Sequence, residues 1–342
     1  RGEYEQALAY YRESLAIRRA IGDRAGEGST LSNIGTVHRQ LGQYDTALDA
    51  YEQALAIRQA VGDRRGNAIT LANLGYVLEA LDYPELAIVF FKQAVNQYEA
   101  IRGDIRGLDI ELQQSFTENV AVTYRQLAGL LLAQDRILEA QRVLDLLKVQ
   151  ELDEYFQDVQ RSTQTEGGVD FWQVETDLLA LYEQVLSQAT ELEELETKLP
   201  GERTEAEQQR LNELRATRDD ARGWFYRFLD DPDVIDTVNQ VRASTQGQNL
   251  EPQNFEDLTN NLRLLPQKTA ALYPLILADR LELVLILPDG PPLRYPIAVS
   301  SDELKQVVID FGQALKSSTS DPKPLAQQLY TWLMGDKLVS EA

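Results

Sequence analysis

The sequence predicts a mainly helical protein: an α-solenoid, then a long antiparallel helical hairpin, then the beginning of an α/β domain. Three observations predict it. The stretch from Arg1 to Leu41 is written again, in close paraphrase, from Gly42 to Leu81, a register of 40 residues. Leucines recur at helical spacing on both sides of a Pro200-Gly201 stop. After Lys268 the period changes to short apolar runs broken by turn residues. The divisions expected are residues 1–160 for the array, 161–250 for the acidic hairpin and 251–342 for the α/β start.

A fixed period of this length marks stacked units that cannot bury their apolar faces alone. Gly2 maps to Gly42, Tyr11 to Tyr51, Asn33 to Asn73 and Gly35 to Gly75. Leu31, Ile34, Gly35 and His38 share one face of a helix. After a turn at Leu41-Gly42-Gln43, a second stripe follows through Tyr44, Ala47, Leu48, Tyr51, Ala54 and Leu55. Gly35 and Ala47 are small where the helices cross, and Tyr51 fills the gap to the next unit. A degenerate unit follows, in which Asn119 to Leu127 aligns with Asn33 to Leu41. There Ala140 comes 19 residues after Ala121 instead of 12. Seven extra residues are two turns, expected to lengthen both helices of that pair.

Gly35, His38, Ala47, Tyr51 and Ala54, and again Gly75, Leu78, Ala87, Phe91 and Ala94, resemble the tetratricopeptide repeat. Ala7, Tyr11 and Ser14 supply the second-helix half of a first unit. The chain opens at Arg1, inside a repeat, and so reads as a piece of a longer polypeptide. In peptide-binding arrays of this family, the position of Asn33, Asn73 and Asn119 lines the concave face. An Asn side chain offers one acceptor and two donors, enough to pair with an extended peptide backbone whatever its sequence. Arg39 and Arg125, six residues beyond their Asn, are accessory candidates. His38 takes a packing position and is expected to be a satisfied, partly buried histidine.

The hairpin begins after a pause at Gly167-Gly168. Phe171 opens a helix carrying Leu178, Leu181, Val185, Leu186, Leu192, Leu195 and Leu199. A second helix runs from Thr204 through Leu211, Leu214, Arg218 and Arg222 into Trp224, Phe225, Tyr226 and Phe228, an aromatic base for docking. Residues 151–250 hold 9 Lys+Arg against 23 Asp+Glu, a far larger excess than 16 against 20 in residues 1–150 or 8 against 12 in residues 251–342. The glutamates from Glu191 to Glu207 read as a solvated tip.

Thr269 to Leu277, Leu281 to Leu287 and Leu293 to Val299 read as three strands, the middle one apolar enough to be buried on both faces. Ser301-Asp302-Glu303 caps a helix carrying Leu304, Val307, Val308, Phe311 and Leu315, and Leu325, Leu329, Tyr330 and Leu333 mark another. With the upstream VLDLLKVQEL and LPGERTEAEQQRL segments, this region resembles the N-terminal part of a CHAT domain, the caspase-like module found beside tetratricopeptide repeats. The resemblance implies a whole protein with a His general base and a Cys nucleophile, neither of which maps onto a residue here.

Composition sets the exclusions. The chain has no cysteine and one histidine, so its own residues build no Cys–His dyad, Ser–His–Asp triad or two-His metal site. No catalytic residue, metal or cofactor is therefore expected. A net charge of −22 with no net basic segment argues against nucleic acid. No apolar run approaches the ~18–20 residues that span a bilayer, so a cytoplasmic protein without a membrane partner is expected. The partner expected is a protein or peptide in the repeat groove. Two functions fit: the non-catalytic, regulatory scaffold of a bacterial caspase-like cysteine peptidase, or a non-enzymatic adaptor with a degenerate CHAT module that assembles protein partners.

Overall fold

A computed structural model describes residues 2–105, 108–153, 168–199, 201–219, 223–247, 260, 262–264, 269–288, 292–316 and 320–335. They divide into two compact units, residues 1–116 with 161–247 and residues 117–160 with 248–342. Gly167, Pro200 and Arg222 lie outside the described residues, as does the Trp224 side chain.

The first unit begins with helices α1 (Gly2–Ile21), α2 (Arg24–Gln40), α3 (Tyr44–Val61), α4 (Arg64–Ala80) and α5 (Pro84–Ile105). The repeated Gly-Asp-Arg linker has a local cause. Gly22 and Gly62 take φ 73°, ending α1 and α3 in the left-handed conformation. Asp23 and Asp63 then cap α2 and α4, each accepting at 2.9 Å from the backbone N–H of Gly26 or Gly66. Arg58 bridges the same corner, donating to Gly66 O and, at 2.6 Å, to Thr70 Oγ1. The fit expected between small and aromatic residues is present: a Cβ built on Gly35 would lie 2.7 Å from the Tyr51 ring, and one on Gly75 2.9 Å from Phe91. His38 is buried and its Nδ1 lies 2.6 Å from Gln43 Oε1.

The hairpin packs back on this array. Its helices are α8 (Gln173–Thr197) and α9 (Glu205–Asp219), followed by α10 (Gly223–Asp230) and α11 (Pro232–Gly247). The aromatic run therefore forms a short helix of its own. α8 lies on α3, α10 on α3 and α11 on α5. Tyr182 and Phe225 meet Phe90 of α5, with ring centroids 4.8 and 5.9 Å from it, and Phe228 packs on Tyr182 at 5.5 Å. Edge-on packing of this kind adds to the area buried. Ion pairs fasten the rim: Arg24 with Glu193, and Arg242 with Glu85 at 2.6 Å. The tip has its own core of Leu192, Leu195, Leu211 and Leu214. Its glutamates are internally engaged: Arg210 holds Glu191 at 2.8 Å, Arg215 holds Glu196 at 2.8 Å, and Lys198 pairs with Glu207. Lys198, the Thr204 backbone and the Thr204 hydroxyl hold the Glu207 carboxyl down to about 2.

The second unit holds α6 (Ile110–Ala133) from residue 117, α7 (Ile137–Asp153), strands β1 (Ala271–Ile276), β2 (Leu281–Ile286) and β3 (Leu293–Ile297), and helices α12 (Ser301–Lys316) and α13 (Lys323–Met334). α6 has 24 residues against 17 in α2 and in α4. α7 has 17 against 18 in α3, so the seven extra residues lengthen α6 alone. The reason is register: Ala140 stays fourth in its helix, as Ala47 is in α3.

The strands form an antiparallel meander, order β1-β2-β3, with Ala271 opposite Ile286 and Leu281 opposite Ile297. β2 is buried throughout, as a central strand covered on both faces must be. Pro274 and Pro296 sit in the two edge strands, where a missing N–H blunts pairing with another chain. Leu281 and Leu283 pack with Leu304, Leu329 and Trp332 of α12 and α13. On the other face Glu282, 2% exposed, pairs with Arg280 and Arg294 at 3.0 Å. Arg294 also donates to Leu132 O at 2.6 Å and Asp135 at 2.8 Å in the α6–α7 turn. The cap of α12 is Ser300, one residue before the expected Ser301, accepting from the Glu303 N–H at 3.2 Å.

Candidate peptide-binding face

The array has two sides. α3 and α5 lie under α8, α10 and α11, whereas α2 and α4 run side by side with Ser32 Oγ and Thr70 Oγ1 3.5 Å apart. On that side Asn33 is exposed and Asn73 half-buried. Each lies two residues before the glycine against which Tyr51 or Phe91 packs, so the close helix crossing sets the orientation of both amides. Residues 1–60 and 27–100 match the family model described as a tetratricopeptide repeat. Together these matches cover residues 1–100 of the 342. Neither a curated protein nor a solved structure matches the chain. Tetratricopeptide repeats are protein-interaction scaffolds, and no described helix is long and apolar enough to cross a membrane.

Arg39, at the far end of α2, is half-buried with its guanidinium carbon 5.4 Å from the centroid of Tyr76 on α4. Tyr76 in turn meets Phe91 edge-on at 4.9 Å. Tyr51 donates to Thr36 Oγ1 at 3.1 Å; burial raises its phenol, opposed by the Thr36 hydrogen bond, then by the charge of the nearby Arg39 and a hydrogen bond from it. Asn119 is exposed and Arg125 half-buried on α6, in the second unit. Among the described residues no His/Asp/Glu cluster could hold a metal ion.

The repeats use a second set of polar residues that the motif does not contain. Asn96 of α5 pairs with one residue of extended chain through both ends of its amide, donating to Val169 O at 2.9 Å and accepting from Val169 N at 2.7 Å. Beside it Lys92, fully buried, donates to Asp170 O at 2.9 Å and to Glu175 Oε2 at 2.8 Å. The signal for these was in the period: Arg12, Glu52 and Lys92 are one position in three successive second helices. Arg12 is exposed, while Glu52 and Lys92 lie beneath the hairpin.

Glu52 is 2% exposed, its Oε1 has no hydrogen-bond partner, and the Tyr182 hydroxyl likewise has none. Burial, then the neighbouring Asp49, pushes the Glu52 carboxyl well above the usual range, against one hydrogen bond from the Phe225 backbone. A folded value raised in this way leaves stability untouched below the unfolded value of 4.5 and lowers it as pH rises through the folded value. Glu52→Gln is therefore expected to raise the thermal midpoint at neutral pH, an advantage that fades on acidification to about 4. Thermal unfolding across that range checks it; an equal gain at both ends would assign the effect to packing instead of charge.

Proposed function

We propose that the repeats hold an extended protein segment across α2 and α4, with Asn33 and Asn73 pairing to its backbone and Arg39 as an accessory contact. Asn119 and Arg125 occupy the corresponding positions of α6 and are proposed for the same role there. The observation that carries this reading is the division of the array. The chain's own hairpin covers the second helices, and the face bearing Asn33 and Asn73 lies on the first. The Asn96–Val169 pairing supports the chemistry, since an amide on one of these helices already clamps extended backbone in this protein.

Short displayed peptides selected on the whole chain provide the test. Each backbone hydrogen bond contributes about 0.5–1.5 kcal/mol, so losing one amide's pair of bonds is expected to weaken selected binders about tenfold whatever their sequence. Asn33→Ala and Asn73→Ala should each do this with the helical circular dichroism unchanged. Unaltered affinity in both would move binding off this face.

The output of such binding is a separate proposal, supported by the order of repeats, hairpin and strands and by the CHAT resemblance. On that reading the chain is the non-catalytic, regulatory part of a caspase-like cysteine peptidase. It contains no cysteine, and its one histidine is committed to Gln43. The alternative is a non-enzymatic adaptor. A thiol-directed activity probe on the polypeptide as isolated from its native source separates them, since labelling requires a cysteine nucleophile.

A further inference from the structure

The seam between the repeats and the hairpin carries, on each side, a polar group that folding leaves unsatisfied. Glu52 of α3 and Tyr182 of α8 are 2% and 1% exposed, and neither Glu52 Oε1 nor the Tyr182 hydroxyl meets a partner. Glu52 accepts one hydrogen bond, from the Phe225 backbone of α10, and lies near enough to Tyr182 for its charge to act on the phenol. The surroundings are rings: Phe90 of α5 and Phe225 and Phe228 of α10 all lie against Tyr182. Rings give a carboxylate neither a counter-charge nor a hydrogen bond, so an ionised Glu52 is costly while the seam is shut.

The charged groups of the neighbouring helices do not relieve it. On α3 itself Asp49 repels Glu52, and Asp45 accepts from the Tyr226 hydroxyl of α10. On α8 Glu175 is held by Lys92 of α5 and Glu193 by Arg24 of α2, while Asp177 and Glu183 are exposed, as is Arg227 of α10. Also on α2, Glu27 is held by Arg19 and Arg24, and Arg39 lies over Tyr76. On α4 Arg64 holds Asp104 and Arg65 is exposed, and on α11 Arg242 holds Glu85. No Lys or Arg among the described residues acts on Glu52.

The hairpin is fastened unevenly. The start of α8 is pinned to α5 by the Lys92–Glu175 pair and by Asn96, which bonds Val169 twice. Farther along, α8 and α10 rest on α3 across Glu52 and Tyr182. We propose that this point is a pH-operated latch: as Glu52 ionises, α8 and α10 swing off α3 about the pinned start of α8. Opening lets water satisfy both Glu52 and the Tyr182 hydroxyl, and uncovers the second-helix face of the array. The direction is set by burial, which with Asp49 raises the docked carboxyl well above its ordinary 4.5. Docking is therefore fully favoured below the ordinary value and weakens as pH rises through the docked one.

The chain has no cysteine, so Tyr10→Cys and Leu199→Cys, both at exposed positions, take a donor and an acceptor dye without competition. Energy transfer on the whole chain is expected to fall as pH is raised from about 5 to about 9, with helical circular dichroism unchanged. Glu52→Gln keeps the size and removes the charge, and should hold transfer at its low-pH level throughout. Asp49→Asn lifts the repulsion and should move the fall to higher pH. Transfer that stays flat in the parent overturns the latch, as does a fall that persists in Glu52→Gln. A fall that tracks loss of helix overturns it too, since the array itself would then be unfolding.

Discussion

Replacing Lys92 with methionine is expected to cost about 3–5 kcal/mol, read as a lower denaturant midpoint. Lys92 and Glu175 are both 0% exposed, and their charged atoms lie 2.8 Å apart. Glu175 Oε2 also accepts the Trp172 N–H at 2.8 Å, while the Phe171 and Trp172 rings flank the ammonium at 5.8 and 5.9 Å. Methionine fills nearly the same space, so packing survives and the loss is electrostatic: a carboxylate left in a dry interior without its cation. The double variant Lys92→Met with Glu175→Leu removes both ions and the desolvation cost of each. It is expected to recover most of the single variant's loss. A double variant as weak as the single one would mean that the pair contributes net stability through its hydrogen bonds to Asp170 and Trp172. A single variant as stable as the parent would remove Lys92 from the forces docking residues 168–175.

That ion pair also marks the boundary of what the sequence made legible. The repeat pairs were readable because every level agreed: Gly35 and Gly75 small, Tyr51 and Phe91 large, Gly22, Gly42 and Gly62 at the turns. The three strands and the two helices after them were readable for the same reason. Where the pattern is local, the structure follows it closely, down to Asp82, which takes φ 65° at the turn position held by Gly42. What was not legible was long-range. Lys92 looks like a surface lysine until Asp170 and Glu175, some eighty residues away, are brought to it. α11 carries a weak signal in the sequence because Val234, Val238 and Val241 form a short stripe among polar neighbours, although Pro232 at its first position is a common helix start. The peptide-face residues divide similarly. Asn33 and Asn73 came from the period, whereas the ring beneath Arg39 belongs to the next repeat and only the folded array shows the stack.

Phe91→Ala is expected to cost about 3–5 kcal/mol, because a fully buried ring is replaced by a cavity between α4 and α5. Gly75→Ala is expected to cost about 1–3 kcal/mol from crowding, partly offset by about 1 kcal/mol of gained helix propensity. A Cβ at position 75 would meet three Phe91 ring atoms at 2.9 Å, closer than real Cβ contacts come. The informative variant carries both changes, since the methyl then enters the space the ring has left. The combined loss should fall short of the two single losses added together by about 0.5–3 kcal/mol, measurable in a denaturant double-mutant cycle. Strict additivity would mean that α4 and α5 relax apart when the ring is removed, and that the glycine is not there to receive it. The coupling bears on binding as well as on stability. The same ring that packs on Gly75 braces Tyr76 edge-on, and Tyr76 carries Arg39. A repeat whose small and large residues no longer interlock would therefore lose the ring against which the Arg39 guanidinium is held, even where the helices themselves persist.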